Sequence, residues 1–430
     1  MTKGFLFRLM ALLIIPALLL VACGGAAQTP EPEEPAVEEP QEAEEAEEPA
    51  EAEEPMAEEP EEFVFGVVLV GPRNDRGWSQ AHYDGGLYVE ENMPGARMIV
   101  FESLNPADKP EATLEGVVDD MVADGAQLVF TTSDEFEEDT VGAAEKYPEV
   151  TFISISGDDA WEEGRDAGVA PPNLGNIMGR MPDMKAIAGC AAALATETGQ
   201  IGYLGPLINF ETRRLAASAY LGARYCYEEF RGMDPDELGY TVTWIGFWFN
   251  IPGVTLDPTE VTTNFIDSGV DVVLSGIDTT EAIVVSGQRA DQGERLFAVP
   301  YDYVGACEEK PEICLGVPYF NWGPDYLETV QAVQDGTWEQ QFEWNEAAWD
   351  ALDDRTVTPV GWIDGTGLTA EWQADLQTFI DGLASGDVVV WQGPLNLQDG
   401  TTYLEDGEVA TDQQVWYLPQ LLEGMEGPSE

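Results

Sequence analysis

Short apolar runs recur between amphipathic stretches from Phe63 onward, and this alternation constrains the fold more than any other feature of the chain. The runs are "VFGVVLV" (64–70), "ARMIVF" (96–101), "LVFTTS" (128–133) and "TFISIS" (151–156). Each is short enough for a strand, and uniformly apolar strands are the kind buried on both faces of a parallel sheet. Helical patterns fill the gaps: one over 78–92, one over 111–124 with Leu114, Val117, Val118, Met121 and Val122 on one face, and one through "EEDTVGAAEKYP". A βαβαβαβ order predicts a parallel sheet with right-handed crossovers.

The order then repeats. A small-residue helix, "MKAIAGCAAALATETG", precedes "IGYLG" (201–205), a helix from about Glu211, "TVTWIGFW" (241–248), a helix near "PTEVTTNFIDSG", "DVVLSG" (271–276), a further helix and "LFAVPYD" (296–302). A last strand-like run lies in "GVPYFNWGPDY". Two successive units of this kind predict an α/β protein with two parallel-sheet lobes. The lobes are expected near 63–178 with 318–362, and 179–317 with 363–430. Ligands of such sheets sit beyond the carboxyl ends of the strands, so a cleft between lobes is the default site.

The first 22 residues read as a signal peptide: Lys3 and Arg8, an apolar core broken by Pro16, then Leu20-Val21-Ala22 before Cys23. That ending is similar to the lipobox of bacterial lipoproteins, which implies a lipid on Cys23 and a place on the outer side of a membrane, plasma or outer. Residues 24–62 are rich in Glu, Pro and Ala with no Lys or Arg. Such a segment is expected to be a disordered, extended tether. The chain carries a formal net charge of −64, which argues against nucleic-acid binding and fits solubility in strong salt. Beyond Cys23 the cysteines are Cys190, Cys226, Cys307 and Cys314, an even number that suits two disulfides in an exported chain. Pairing 307 with 314 closes a small loop and leaves 190 for 226, but all three pairings stay open. No CxxC exists and the only histidine, His82, is far from these cysteines in sequence, so neither metal nor cofactor is expected.

Candidate ligand groups stand after the apolar runs. They are Asn74, Asp75, Trp78 and Ser79 in "VGPRNDRGWSQAHYDGG", then Ser133, Asp134 and Phe136. The second series offers Asn209 in "GPLINFE", Trp248 and Asn250, Asp278, Asp302, and finally Asn321 and Trp322. Indole and phenyl faces stack on planar rings, while Asn and Asp read polar edges. A flat, nitrogen-rich small molecule is the expected ligand. Trp244 and Phe249 read as core, and a lone Asp after a strand is often a helix cap. Catalysis has little support: "GWSQA" is no GxSxG elbow, no phosphate-binding P-loop occurs, and His82 reads as an ordinary polar residue of the first helix.

At "GPRNDRGWSQAHYDG" the chain resembles the basic membrane protein family, the solute-binding lipoproteins of ABC importers. The likeness continues through "DGAQLVFTTSDEF", "AAEKYPEVTFI", "IGYLGPLINFETRRLAASAYLGAR", "TVTWIGFWFNIPG", "VPYFNWGPDYLETVQAVQDGTW" and "WQGPLNLQDG". The resemblance implies a type I periplasmic-binding fold. It also implies a purine base or nucleoside held between two aromatics, here Trp78 and Trp248, with partners in a membrane permease and its ATPase. Asp75 matches the acid of the first loop, and Ser79 stands where relatives have Asn. Asp302 matches an acid that contacts ribose, but the lysine that assists it has no evident counterpart, which favours a free base or another small ring. A monomer is expected. The alternative is a ligand-sensing surface lipoprotein, or a sugar or autoinducer receptor, of the same fold.

Overall fold

The computed structural model describes residues 62–165 and 167–430. The leader, the lipidation site at Cys23 and the acidic tether lie outside the described residues. The alternation read from sequence produces two open sheets. The first contains β1 (Phe63–Leu69), β2 (Ala96–Phe101), β3 (Leu128–Thr132), β4 (Thr151–Ile155) and β5 (Leu174–Gly179). The second is built from β6 (Gln200–Gly205), β7 (Gly239–Trp244), β8 (Val272–Ser275) and β9 (Phe297–Val299). Then come β10 (Gly316–Phe320), β11 (Phe342–Asn345), β12 (Val360–Asp364), β13 (Leu395–Asn396), β14 (Thr402–Leu404) and β15 (Met425–Glu426). The sheet orders are β11-β5-β4-β3-β1-β2 and β15-β7-β6-β8-β9, parallel throughout.

Both orders reverse at their first strand, between β1 and β3 and again between β6 and β8. A doubly wound sheet opens a crevice at such a switch point. The helices that pack the sheets are α1 (Trp78–Asn92), α2 (Leu114–Ala123), α3 (Glu137–Lys146), α4 (Met181–Ala195), α5 (Phe210–Glu229), α6 (Pro258–Asp267), α7 (Glu281–Ala290), α8 (Gly323–Gln334), α9 (Ala370–Ser385) and the short α10 (Asp412–Trp416). The chain passes between lobes from β5 into α4, from β10 into α8, which packs on α1, and from β11 through β12 to α9, which packs on α4. Strands β10 and β12 pair antiparallel, so two crossings run side by side as a hinge.

The small-residue helix α4 is buried almost throughout. It crosses α5 so closely that a methyl group on Gly189 would lie 1.8 Å from the carbonyl oxygen of Ala219, and one on Gly222 would lie 2.0 Å from that of Ala186. Only glycine permits this approach. The Cys190–Cys226 disulfide ties the same two helices, and Cys307–Cys314 closes the small loop before β10.

Some expectations change. The run 241–248 is a strand only to Trp244, because Gly246 turns the chain with φ +103°. The loop after it carries Trp248. Strand β9 is shorter than 296–302, since Pro300 has no N–H for a ladder and Asp302 takes φ +70°. Strands β5 and β11 complete the first sheet without having been read from the sequence. His82 is fully buried rather than an ordinary polar position: its Nδ1 lies 2.7 Å from the Tyr326 hydroxyl, and its ring stacks on Trp322 at 4.3 Å. Burial pushes its pKa well down, so the ring stays neutral.

Candidate functional site

At the two switch points the strand ends line a shared pocket, with about 390 Å³ of space between atoms, open solvent included. The first lobe contributes Val70, Trp78, Ser133, Asp134 and Ser156. The second contributes Tyr203, Glu211, Thr212, Leu215, Trp248, Gly276, Asp278, Tyr301 and Asp302.

Trp78 opens α1, and its Nε1 donates to the Thr132 carbonyl at 2.7 Å. Its edge-to-face neighbours are His82 at 4.5 Å, Phe320 at 5.1 Å and Trp322 at 5.5 Å. The indole is thus a rigid wall. Trp248 sits in the loop after β7, and its buried Nε1 has no partner. The Trp248 carbonyl accepts from the Asp278 amide at 3.0 Å, which joins that loop to the next strand end.

Acids dominate the polar wall. Asp134 is pushed up to about 7 by burial, then by the nearby Glu211 and Glu135 carboxylates. Its Oδ2 accepts from Asn209 Nδ2 at 2.7 Å, while the buried Oδ1 has no partner. Burial also raises Glu211, and Arg214 and the Ser156 hydroxyl oppose that rise. Asp278 and Asp302 are driven well above the ordinary carboxylate range by burial, and the Asp302 charge adds to the effect on Asp278. Asp302 is wholly buried with no hydrogen-bond geometry satisfied at either oxygen, although Lys185 and the Tyr301 hydroxyl hold its pKa down somewhat. Its left-handed backbone costs about 1 kcal/mol for a non-glycine residue, and such strain concentrates at functional sites.

Other sequence candidates take different places. Asn74 is exposed and off the cavity wall. Asp75 caps α1, accepting from the amides of Gly77 at 2.9 Å, Ser79 at 3.0 Å and Gln80 at 3.0 Å; burial raises it to about 6 against those bonds. Ser79 braces the loop by accepting from the Gly71 amide at 3.0 Å. Phe136 is core. Asn209 caps α5 in a capping box with Thr212 and bridges to Asp134 across the lobes. Trp322 is a correction: it stacks between His82 and Phe320, behind Trp78, and does not line the cavity.

Sequence reasoning missed Ser156, Tyr203, Glu211, Tyr301 and Lys185. The last of these is buried on α4, donates to the Ser275 carbonyl at 2.7 Å and lies 3.2 Å from the Tyr301 ring centre. Burial lowers it to about 7, and Asp302 pulls the other way. The single basic residue of an alanine-rich helix was the available signal.

The lobes are closed in this structure. A methyl on Gly77 would lie 1.6 Å from the Asp278 carbonyl oxygen. Arg76 reaches Glu308 and Glu309 of the disulfide loop, each at 2.8 Å. Among the described residues no group of His, Cys, Asp and Glu is arranged to hold a metal ion, and no helix is long and apolar enough to cross a membrane.

Two doubly wound lobes closed on a cavity at their switch points define the type I periplasmic-binding fold. A solute-binding protein of an ABC transporter from Aeropyrum pernix K1 shares it, with a TM-score of 0.61 at 14% identity over 78% of this chain and 93% of that one. Residues 63–234 match the family described as ABC transporter substrate-binding protein, PnrA-like. A purine-binding protein of Brucella abortus (strain 2308) is 28% identical over 363 residues, 82% of this chain and 90% of the relative. A putative ABC transporter glucose-binding protein of Haloferax volcanii is 23% identical over 361 residues, 84% of this chain and 79% of the relative. The chain is thus similar to the PnrA-like family of ABC transporter substrate-binding proteins over 63–234, and to these two relatives over most of its length.

Proposed function

We propose that the protein captures a purine base or nucleoside between its lobes and delivers it to a membrane permease. The observation that carries this reading is the joint presence of Trp78 and Trp248 with four carboxyls on one enclosed wall. Indole faces suit a planar ring, and carboxyls accept from ring and exocyclic N–H groups. A relative named for purine binding, similar over most of both chains, supports the same class. On this reading the lobes are 63–178 with 318–362 and 179–317 with 363–430, closing about the antiparallel β10–β12 pair. Cys23 carries the lipid that keeps the protein at the membrane; intact-mass analysis of membrane-extracted protein would show an acylated N-terminal cysteine, and an unmodified mass would refute it.

Lys185 changes one expectation. A lysine does stand near Asp302, but it is turned to Ser275 and Tyr301 and is not among the residues lining the cavity. The free base therefore remains the favoured ligand. A second reading, a sugar, is favoured by the relative named for glucose binding and by the ability of sugars to stack on indole while donating to acids. A thermal-shift screen of purine bases, nucleosides, pentoses and hexoses separates the two, because a ligand that binds only the folded chain raises its Tm. Stabilisation by adenine or guanine above their nucleosides supports the free base. A response to sugars alone would replace the ligand class.

A further inference from the structure

The cavity has unbalanced hydrogen-bond chemistry. The buried acceptors on its wall are poorly satisfied: Asp134 Oδ1 has no partner, and the two Asp302 oxygens have only the neighbouring Tyr301 hydroxyl, out of good hydrogen-bond geometry. Against them stands one unpartnered donor of the wall, Trp248 Nε1. Hydroxyls of Ser133, Ser156, Thr212, Tyr203 and Tyr301 can serve in either sense. Among the described residues no Lys or Arg forms an ion pair with Asp134, Glu211, Asp278 or Asp302. The nearest basic groups stand outside the lining: Lys185 donates to Ser275, and Arg214 donates to the Trp416 carbonyl and covers its ring at 3.9 Å, with its Nε left unpartnered.

Buried orphan acceptors are costly, and a native site that keeps them has a use for them. A ligand amino group or ring N–H would supply what the wall lacks. It would also let a carboxyl ionise and form a charge-assisted bond, about twice as strong as a neutral one. A ligand carbonyl oxygen would meet a wall of acids. Its best partners would be Trp248 Nε1, a hydroxyl, or an acid held in its protonated form, all of them neutral donors.

Resting on the purine reading above, we infer that the site selects amino-bearing heterocycles over their oxo counterparts, with Asp134 and Asp302 as the groups that discriminate. Adenine and 2,6-diaminopurine are favoured ligands; hypoxanthine and xanthine are disfavoured ones. The selection is electrostatic, so it extends to basic planar amines outside the purines.

Calorimetric titration of the full chain with these four purines, with 2-aminopyridine against 2-pyridone, and with glucose tests this. The expected result is adenine and 2,6-diaminopurine binding at least about tenfold tighter than hypoxanthine and xanthine. That ratio should shrink to within about threefold in both Asp134→Asn and Asp302→Asn. Equal or tighter binding of hypoxanthine or xanthine overturns the inference, as does a ratio that neither variant alters. If no purine binds but 2-aminopyridine does and 2-pyridone does not, the purine reading falls and the donor selection stands. Glucose as the sole ligand, or no binding by any compound, overturns both. Circular dichroism of the two variants shows whether they keep the fold, and the purine ratio in whichever folded variant remains decides the matter.

Discussion

Asp278 shows how function can cost stability at a single position. Its carboxyl is buried among Asp302, Asp75, Glu211 and Asp134, all of which push its pKa up. Asparagine is nearly the same size and cannot carry the charge. Asp278→Asn should raise the Tm of the ligand-free protein, by an amount on the order of 1 kcal/mol of stability, while weakening ligand binding. Thermal unfolding without ligand checks this, and an unchanged or lowered Tm would count against it. Trp248 and Trp78 differ in the same terms. Trp78 is held by a hydrogen bond and three ring contacts, so Trp78→Ala should lower both stability and affinity. Trp248 is half-buried in a loop, so Trp248→Ala should weaken binding by roughly 1–3 kcal/mol and leave the Tm within a few degrees. At this scale the sequence was partly legible. Trp78, Ser133, Asp134, Trp248, Asp278 and Asp302 stand directly after strands, and the structure gathers them on one wall. Trp322 also follows a strand, but its chain turns at once into α8, and its ring points into the packing behind Trp78. Lys185 and Tyr203 come from inside regular elements, where strand-end logic does not look.

Among the elements, the β1–α1 loop carries the closure. Arg76 takes φ +60°, Gly77 follows it, and the Asp278 carbonyl packs where a side chain at 77 would lie. Gly77→Ala should leave each lobe folded but hold them apart. Affinity should then fall at least about tenfold with little change in circular dichroism, since only the closed state binds well. Unaltered affinity would show that the contact is not needed for capture. The neighbouring Arg76 pairs with Glu308 and Glu309 are partly exposed, and exposed pairs contribute little. Arg76→Ala should therefore cost less than about fivefold in the same titration. Helix α1 was readable from 78 to 92 because its start follows a glycine and its apolar positions recur at helical spacing. Strand β11 was not, because "FEWN" is a half-buried edge with no apolar run to mark it. The overreach of the strand at 241–248 has a similar cause: aromatic residues favour strands, and Gly246 was the single contrary signal.

For the whole molecule, charge is the governing quantity. Asp75 and Asp183 are raised by burial to about 6, Asp134 and Asp325 to about 7, and Glu137 to about 8. Between the ordinary carboxylate range and those values, the folded chain holds protons that the unfolded chain has released. Stability therefore falls as pH rises through that window. Neutral, buried His82 works in the opposite sense below its ordinary pKa, and Lys185, lowered to about 7, does so above that value, but the raised carboxyls outnumber them. The ligand-free protein should melt at a higher temperature near pH 5 than near pH 7, and the reverse order in a calorimetric scan would contradict this account. A net charge of −64 adds self-repulsion that salt screens, so the Tm at neutral pH should also rise between about 0.1 and 1 M NaCl. The two-lobed α/β architecture was legible because it rests on repeated buried strands, whose uniform apolar character survives any detail of loop or ligand. Side-chain direction at the site was less so, since it depends on which loops meet when the lobes close.

The most direct test of the central claim is calorimetric titration of the full chain with adenine, adenosine and glucose, on the native protein and on Trp248→Ala. The account predicts binding of adenine, weaker or absent binding of adenosine and glucose, and a five- to 150-fold loss for adenine in the variant, the equivalent of roughly 1–3 kcal/mol. Binding of glucose alone, or adenine binding that Trp248→Ala leaves unchanged, would contradict it.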